Sequence, residues 1–193
     1  VEVSRIDCLK FGARSQAAVA EEFRRHDDPG HVRLHLDHVP VIDEDGLRVD
    51  WRASIAEALG LGYASVMVDG SRLPLEENIA AAREAAAMAP AAGAACEAEL
   101  GAVLGHEAGP LPPYEELFRS GRGFTRVEEA TRFVRETGVD WLSVAIGSVH
   151  GAVSDALKNT KKVEARLSLD HLTRLTAATN VPLVLHGGSG VRQ

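Results

Sequence analysis

Three short apolar runs in this chain end on a histidine, and that recurrence limits the fold more than any other stretch. Leu34-His35-Leu36-Asp37-His38 stops with an acid beside an imidazole. Val144-Ala-Ile-Gly-Ser-Val-His150-Gly151 runs from an apolar strand into His-Gly, and Pro182-Leu-Val-Leu-His186-Gly-Gly-Ser-Gly190 does so again. Two further apolar runs, Ala64 to Val68 and Ala94 to Leu100, end at Asp69 and carry Glu97 and Glu99. Helical patterns fill the gaps, so strands recur at intervals of roughly 30 to 45 residues, the rhythm of βαβ units. Polar residues at five successive strand ends favour a barrel of parallel strands, whose working groups sit at the carboxyl ends. A doubly wound sheet usually works around a single switch point.

Read in order, Val1 to Ile6 alternates as a strand, and Ser15 to His26 is a helix with Ala17, Ala20 and Phe23 on one face. His31 to Asp37 is the next strand, followed by a loop from Val39 to Val49. Asp50 caps a helix lined by Trp51, Ile55 and Leu59, which Gly60-Leu-Gly62 ends. Pro74, Glu76 and Glu77 open an alanine-rich helix reaching Met88. A short helix is expected at Tyr114 to Phe118. Thr125 is expected to cap a helix that Gly138 stops. Trp141 to Ile146 is a strand, Leu169 to Ala178 a helix and Val181 to Leu185 the last strand. Six strands do not close an eight-stranded barrel. The expected fold is therefore an α/β chain, an incomplete (β/α)8 TIM barrel with about strands 2 to 7, read as one partial domain over 1–193. A first strand–helix unit and a last strand are expected outside it. Alone, such a chain exposes two sheet edges, and it is expected to be inactive without the missing parts.

Bulk properties exclude several classes. The net charge of −7 argues against a nucleic-acid surface, which wants a basic stripe. No apolar run is long enough to span a bilayer and no secretory leader is visible, so no membrane partner and a cytoplasmic location are expected. Cys8 and Cys96 lie far apart and outside any CxxC spacing, which reads as two reduced thiols.

Three imidazoles with an open fourth position suit a catalytic divalent metal, most often zinc. His38, His150 and His186 are the candidate ligands. Asp37 reads either as a turn residue or as a proton shuttle beside a metal and a carbonyl substrate. Asp69 and Glu99 read as partners orienting the imidazoles or as ligands of an alternative metal position. His35 shares the strand face of Asp37 and reads either as a structural residue or as a partner behind the ligands, and Glu97 reads as a structural partner. The glycine turns after His150 and His186 offer bare N–H groups to a phosphate. The only lysines are Lys10, Lys158, Lys161 and Lys162, none in an apolar strand. Schiff-base chemistry lacks its desolvated lysine, so carbonyl chemistry here would run through a Lewis acid.

At this point the chain resembles the class II, metal-dependent ketose-bisphosphate aldolases. The resemblance rests on seven motifs in order: His35-Leu-Asp-His38, Ser65 to Ser71, Leu75-Glu-Glu-Asn-Ile79, Glu97-Ala-Glu-Leu-Gly101, Thr137-Gly-Val-Asp140, Ala145 to Gly151 and Leu185 to Gly190. It implies a TIM barrel, a homodimer or homotetramer, and a place in glycolysis or related carbohydrate metabolism. The reaction it implies is cleavage or formation of fructose or tagatose 1,6-bisphosphate through dihydroxyacetone phosphate. By position, His38, His150 and His186 resemble the zinc ligands, with another divalent metal as an alternative. Asp69 and Glu99 resemble the carboxylates used when the metal shifts. Asp37 resembles the acid/base at the C4 oxygen and Glu107 the loop glutamate that moves a proton at C3. Ser4 resembles a substrate contact. Gly151, Gly187 and Ser189 resemble a phosphate cradle that also gathers a monovalent cation. The family loop usually reads Gly-Gly-x-Glu-Asp, whereas this chain has Leu104-Gly-His-Glu-Ala108. Rival expectations are a metal-dependent TIM-barrel hydrolase and a non-catalytic sugar-phosphate-binding relative.

Overall fold

A computed structural model of the chain describes residues 1–26, 28, 30–101, 113–148, 165–188 and 191. The chain divides into two compact units, one made of residues 1–99 with 136–141, the other of 100–135 with 142–193.

The first unit is built on four parallel strands in the order β1 (Glu2–Ser4), β2 (His35–Pro40), β3 (Ser65–Asp69) and β4 (Ala95–Leu100, whose last residue belongs to the second unit). Helices α1 (Arg5–Lys10), α2 (Gln16–His26), α3 (Trp51–Gly60) and α4 (Leu75–Met88) connect them. Leu36, Val39, Ile55, Val66, Val68, Ala82, Cys96 and Ala98 are fully buried. Each large aliphatic side chain among them contributes about 1.5–3 kcal/mol by leaving water. The buried Tyr63 donates its hydroxyl to the main-chain oxygen of Gln16 at 3.1 Å, tying the start of α2 to the lead into β3.

Several sequence expectations hold. Asp50 accepts from the backbone N–H of Ala53 as the cap of α3, and α4 runs to Met88. Two do not. The first strand ends at Ser4, because Ser4 and Asp7 form a reciprocal capping box that starts α1 at Arg5. The second strand starts later than expected, at His35, and continues through His38 to Pro40. Its register against β3 explains how: Leu36 pairs with Val66 but Val39 pairs with Val68. Three steps on one strand face two on the other, so β2 carries a bulge at Asp37-His38.

In the second unit, β5 (Trp141–Val144, of which Trp141 belongs to the first unit) pairs in parallel with β6 (Leu183–Val184). Around them lie α5 (Tyr114–Ser120), α6 (Val127–Thr137, in this unit through Arg135) and α7 (Leu169–Ala178). Phe133, Leu142, Val144, Ile146 and Leu175 form its fully buried centre. Thr125 does other work than capping α6. Its hydroxyl donates to the carbonyl of Leu100 and accepts from the N–H of Ala145 at 2.8 Å, joining the ends of two strand segments. Gly138, at φ 70°, follows α6 as expected, in the left-handed region that glycine enters without strain. Among the described residues no helix is long and apolar enough to cross a membrane.

Candidate metal-binding carboxyl ends of the first unit

The carboxyl ends of β2, β3 and β4 bring three ligating side chains together. His38 Nδ1 lies 3.6 Å from Asp69 Oδ2 and 3.7 Å from Glu99 Oε2. One donor atom from each of the three residues falls within 4.8 Å of the others. One nitrogen and two carboxylate oxygens at that spacing suit a divalent cation.

The bulge makes this possible. In an unbroken strand Asp37 and His38 would face opposite sides. The extra residue turns His38 to the side that Asp69 and Glu99 occupy, at a backbone φ of 40°. That left-handed conformation is uncommon for a residue with a Cβ and costs about 1–2 kcal/mol. Glu97 and Glu99, two residues apart on β4, share a face, and both are buried.

Charge is crowded here. Burial pulls the His38 imidazole down, but the adjacent Asp69 carboxylate and the charges of Asp37 and Glu99 outweigh it and lift it to about 10. Burial and the neighbouring Asp69 charge push the Glu99 carboxyl up to about 8, against the opposing pull of His38. Asp69 is also buried, yet His38 and the N–H and hydroxyl of Ser71 hold its carboxyl well below the ordinary range. Ser71 donates from its backbone at 2.9 Å and its hydroxyl at 2.6 Å, both to Asp69 Oδ1. Without a cation this cluster keeps extra protons, and buried carboxylates are costly unless compensated. The donor set therefore fits a divalent metal.

Beside it sits a second layer of polar side chains. His35 Nδ1 is 2.8 Å from Ser65 Oγ, while its Nε2 is 3.7 Å from both Asp37 Oδ1 and Glu97 Oε2. Its ring leans on Trp141 with centroids 6.2 Å apart. The i, i+2 spacing of His35 and Asp37 signalled their shared face, but no spacing in the sequence tied either to Ser65 or Trp141.

The remaining candidates are placed as follows. The Ser4 hydroxyl is engaged with Asp7, to which it donates at 2.7 Å and from whose N–H it accepts at 3.2 Å. His186 follows β6 in the second unit, and Gly187 after it turns at φ 71°. Glu107, His150, Gly151 and Ser189 lie outside the described residues.

A family model described as "Fructose-bisphosphate aldolase class-II" matches residues 1–193. The chain is 38% identical over 161 residues to a fructose-bisphosphate aldolase of Streptococcus pyogenes serotype M3, covering 83% of this chain and 46% of that protein. It is 39% identical over 160 residues to a 6-phospho-5-dehydro-2-deoxy-D-gluconate aldolase of Shouchella clausii, with the same coverages. The chain thus spans about half the length of the curated relatives it matches. Among solved structures it resembles the YdjI aldolase of Escherichia coli K12, with TM-score 0.67 and 26% identity over 98% of this chain and 57% of that one. It also resembles a putative fructose-1,6-biphosphate aldolase of Coccidioides immitis, with TM-score 0.62 and 30% identity over 94% of this chain and 56% of that one. The α/β, TIM-barrel-type fold expected from the strand–helix rhythm is the fold shared with these solved structures.

Proposed function

This chain belongs to the class II fructose-bisphosphate aldolase family, and on that premise we propose that it carries part of the active site of a zinc-dependent aldolase. Its substrate would be a phosphorylated ketose, of the fructose or tagatose 1,6-bisphosphate type, cleaved or formed through dihydroxyacetone phosphate. The observation that carries this reading is the meeting of His38, Asp69 and Glu99 at three adjacent strand ends. The names of the relatives support the substrate class. One acts on fructose bisphosphate by name; the other's name describes a keto group on the carbon next to a phosphate-bearing one. Both share a ketone flanked by a phosphorylated carbon.

In this reading His38, His150 and His186 hold the metal, with Asp69 and Glu99 as its alternative ligands. A bound divalent cation would supply Lewis-acid polarisation of the ketone carbonyl. The protein's own groups handle the protons. Asp37 takes the proton of the C4 hydroxyl as the C3–C4 bond breaks and returns it in condensation. Glu107 moves the proton at C3. Gly151, Gly187 and Ser189 offer backbone and hydroxyl donors to the phosphate, with room for a monovalent cation beside it. A substrate role for Ser4 requires its hydroxyl to leave Asp7. Residues 1–193 are read as one partial TIM-barrel domain of a cytoplasmic homodimer or homotetramer in sugar-phosphate metabolism.

The test uses the full-length protein. Stoichiometric zinc, loss of ketose-bisphosphate cleavage on chelation and its return with added zinc are expected. Cleavage that survives complete removal of divalent metal would overturn the reading.

A further inference from the structure

The motif Leu75-Glu-Glu-Asn-Ile79 has no part in the chemistry above, yet it places one buried amide against two of the three ligating strand ends. Asn78 lies in the first turns of α4 and is 2% exposed. Its Nδ2 donates to the main-chain oxygen of Glu99 at 2.9 Å. Its other end faces Gly70, the residue after Asp69. A Cβ at Gly70 would stand 2.2 Å from Asn78 Oδ1 and 2.7 Å from its Cγ. Gly70 is not in the left-handed region, so contact with Asn78, not backbone freedom, is what requires glycine there. Asn78 Oδ1 has no hydrogen-bond partner among the described residues. Rotating the amide by half a turn would set Oδ1 against the Glu99 carbonyl, two acceptors facing each other. The orientation is therefore fixed, and the donor must face β4.

We propose that Asn78 is a positioning residue for the metal: one planar amide, wedged between Gly70 and the Glu99 carbonyl, sets the spacing of Asp69 and Glu99 so that both reach an ion with His38. A shorter side chain would leave Gly70 and the Glu99 carbonyl without a common gauge. The buried carbonyl would also lose the hydrogen bond from this amide. Groups that hold ligands in place typically change metal affinity by about 10- to 100-fold when removed. A helix residue that only packs would change stability and leave the affinity of the folded protein alone.

This inference rests on the metal reading above, and the experiment separates the two. Zinc affinity is measured by chelator competition on full-length wild type and on Asn78→Ala, with circular dichroism to show that each is folded. The expected result is a loss of zinc affinity of about tenfold or more in the folded variant. Affinity equal to wild type overturns the positioning role while leaving the metal reading intact. A wild type that binds no zinc overturns both. Should Asn78→Ala fail to fold, Gly70→Ala keeps the amide but pushes it off its seat. The same tenfold loss is expected there, and unchanged affinity overturns the proposal.

Discussion

The strand ends of the two units are secured by opposite means. In the first, the ends of β2, β3 and β4 carry ionisable groups, His38, Asp69 and Glu99, drawn within ligand distance of one another. In the second, an ionisable group, His186, follows β6, but the residues ending β4 and following β5 are tied through neutral hydroxyls. Thr125 bridges the Leu100 carbonyl and the Ala145 N–H. The Tyr114 hydroxyl donates to the Gly147 carbonyl at 2.9 Å and accepts from the Arg166 N–H at 2.7 Å. Gly147 must be bare, since a Cβ there would meet the Arg166 carbonyl at 2.5 Å and the Phe118 ring at 2.6 Å. Neutral hydrogen bonds stabilise modestly and reliably, whereas clustered charges depend on a counterion. The clustered charges are thus suited to chemistry and these hydroxyl ties to structure.

That division is broken if substitutions at both ends affect the same property. The largest expected effect is Asp37→Ala, measured in the full-length protein. Turnover should fall by about 10²- to 10⁴-fold with metal still bound. Unchanged turnover would remove Asp37 from the proton transfer. On the other side, Thr125→Val keeps the shape of a residue that is 1% exposed and deletes its hydroxyl. It leaves a buried carbonyl and a buried N–H without that partner, a cost of about 2–3 kcal/mol in unfolding free energy by denaturant titration. Zinc affinity should not change; a tenfold drop would show that the Thr125 tie also serves the metal. Tyr114→Phe should act in the same direction but less, by about 1 kcal/mol, since its partner Arg166 is exposed. Turnover measured under conditions where both proteins are folded tells whether that tie also orders chemistry.

Much of this was legible in the sequence because periodicity and punctuation agree. Asp50 before an apolar helical face, and glycine at 62 and 138 after one, marked helix ends that the structure reproduces. Acids at 69 and 99 could be placed at strand ends by counting alone. What could not be read is where two rules compete. Ser4 fits the alternation of Val1 to Ile6, but a capping box with Asp7 prevails and starts a helix. Thr125 looks like a cap, yet two unsatisfied strand groups claim its hydroxyl. Asn78 sits in a motif that reads as an ordinary helix start. Its reach to Glu99, 21 residues away, exists only once α4 has packed.

The sharpest case is β2. Strict alternation places Asp37 and His38 on opposite faces, so a regular strand would deliver only one of them to the site. The bulge delivers both, and the register shift between Leu36 and Val39 with φ 40° at His38 is its signature. This geometry makes the smallest of the expected effects the most discriminating. In ordinary strand backbone, alanine is favoured over glycine, because glycine loses more freedom on folding. At a left-handed position the order reverses, by about 1 kcal/mol, because a Cβ meets the adjacent carbonyl. His38→Gly and His38→Ala delete the same imidazole and leave the same carboxylates behind, so their difference isolates the backbone. In metal-free protein the glycine variant should unfold at the higher denaturant concentration. If the alanine variant is the more stable, His38 lies in regular strand, and its approach to Asp69 and Glu99 needs another cause.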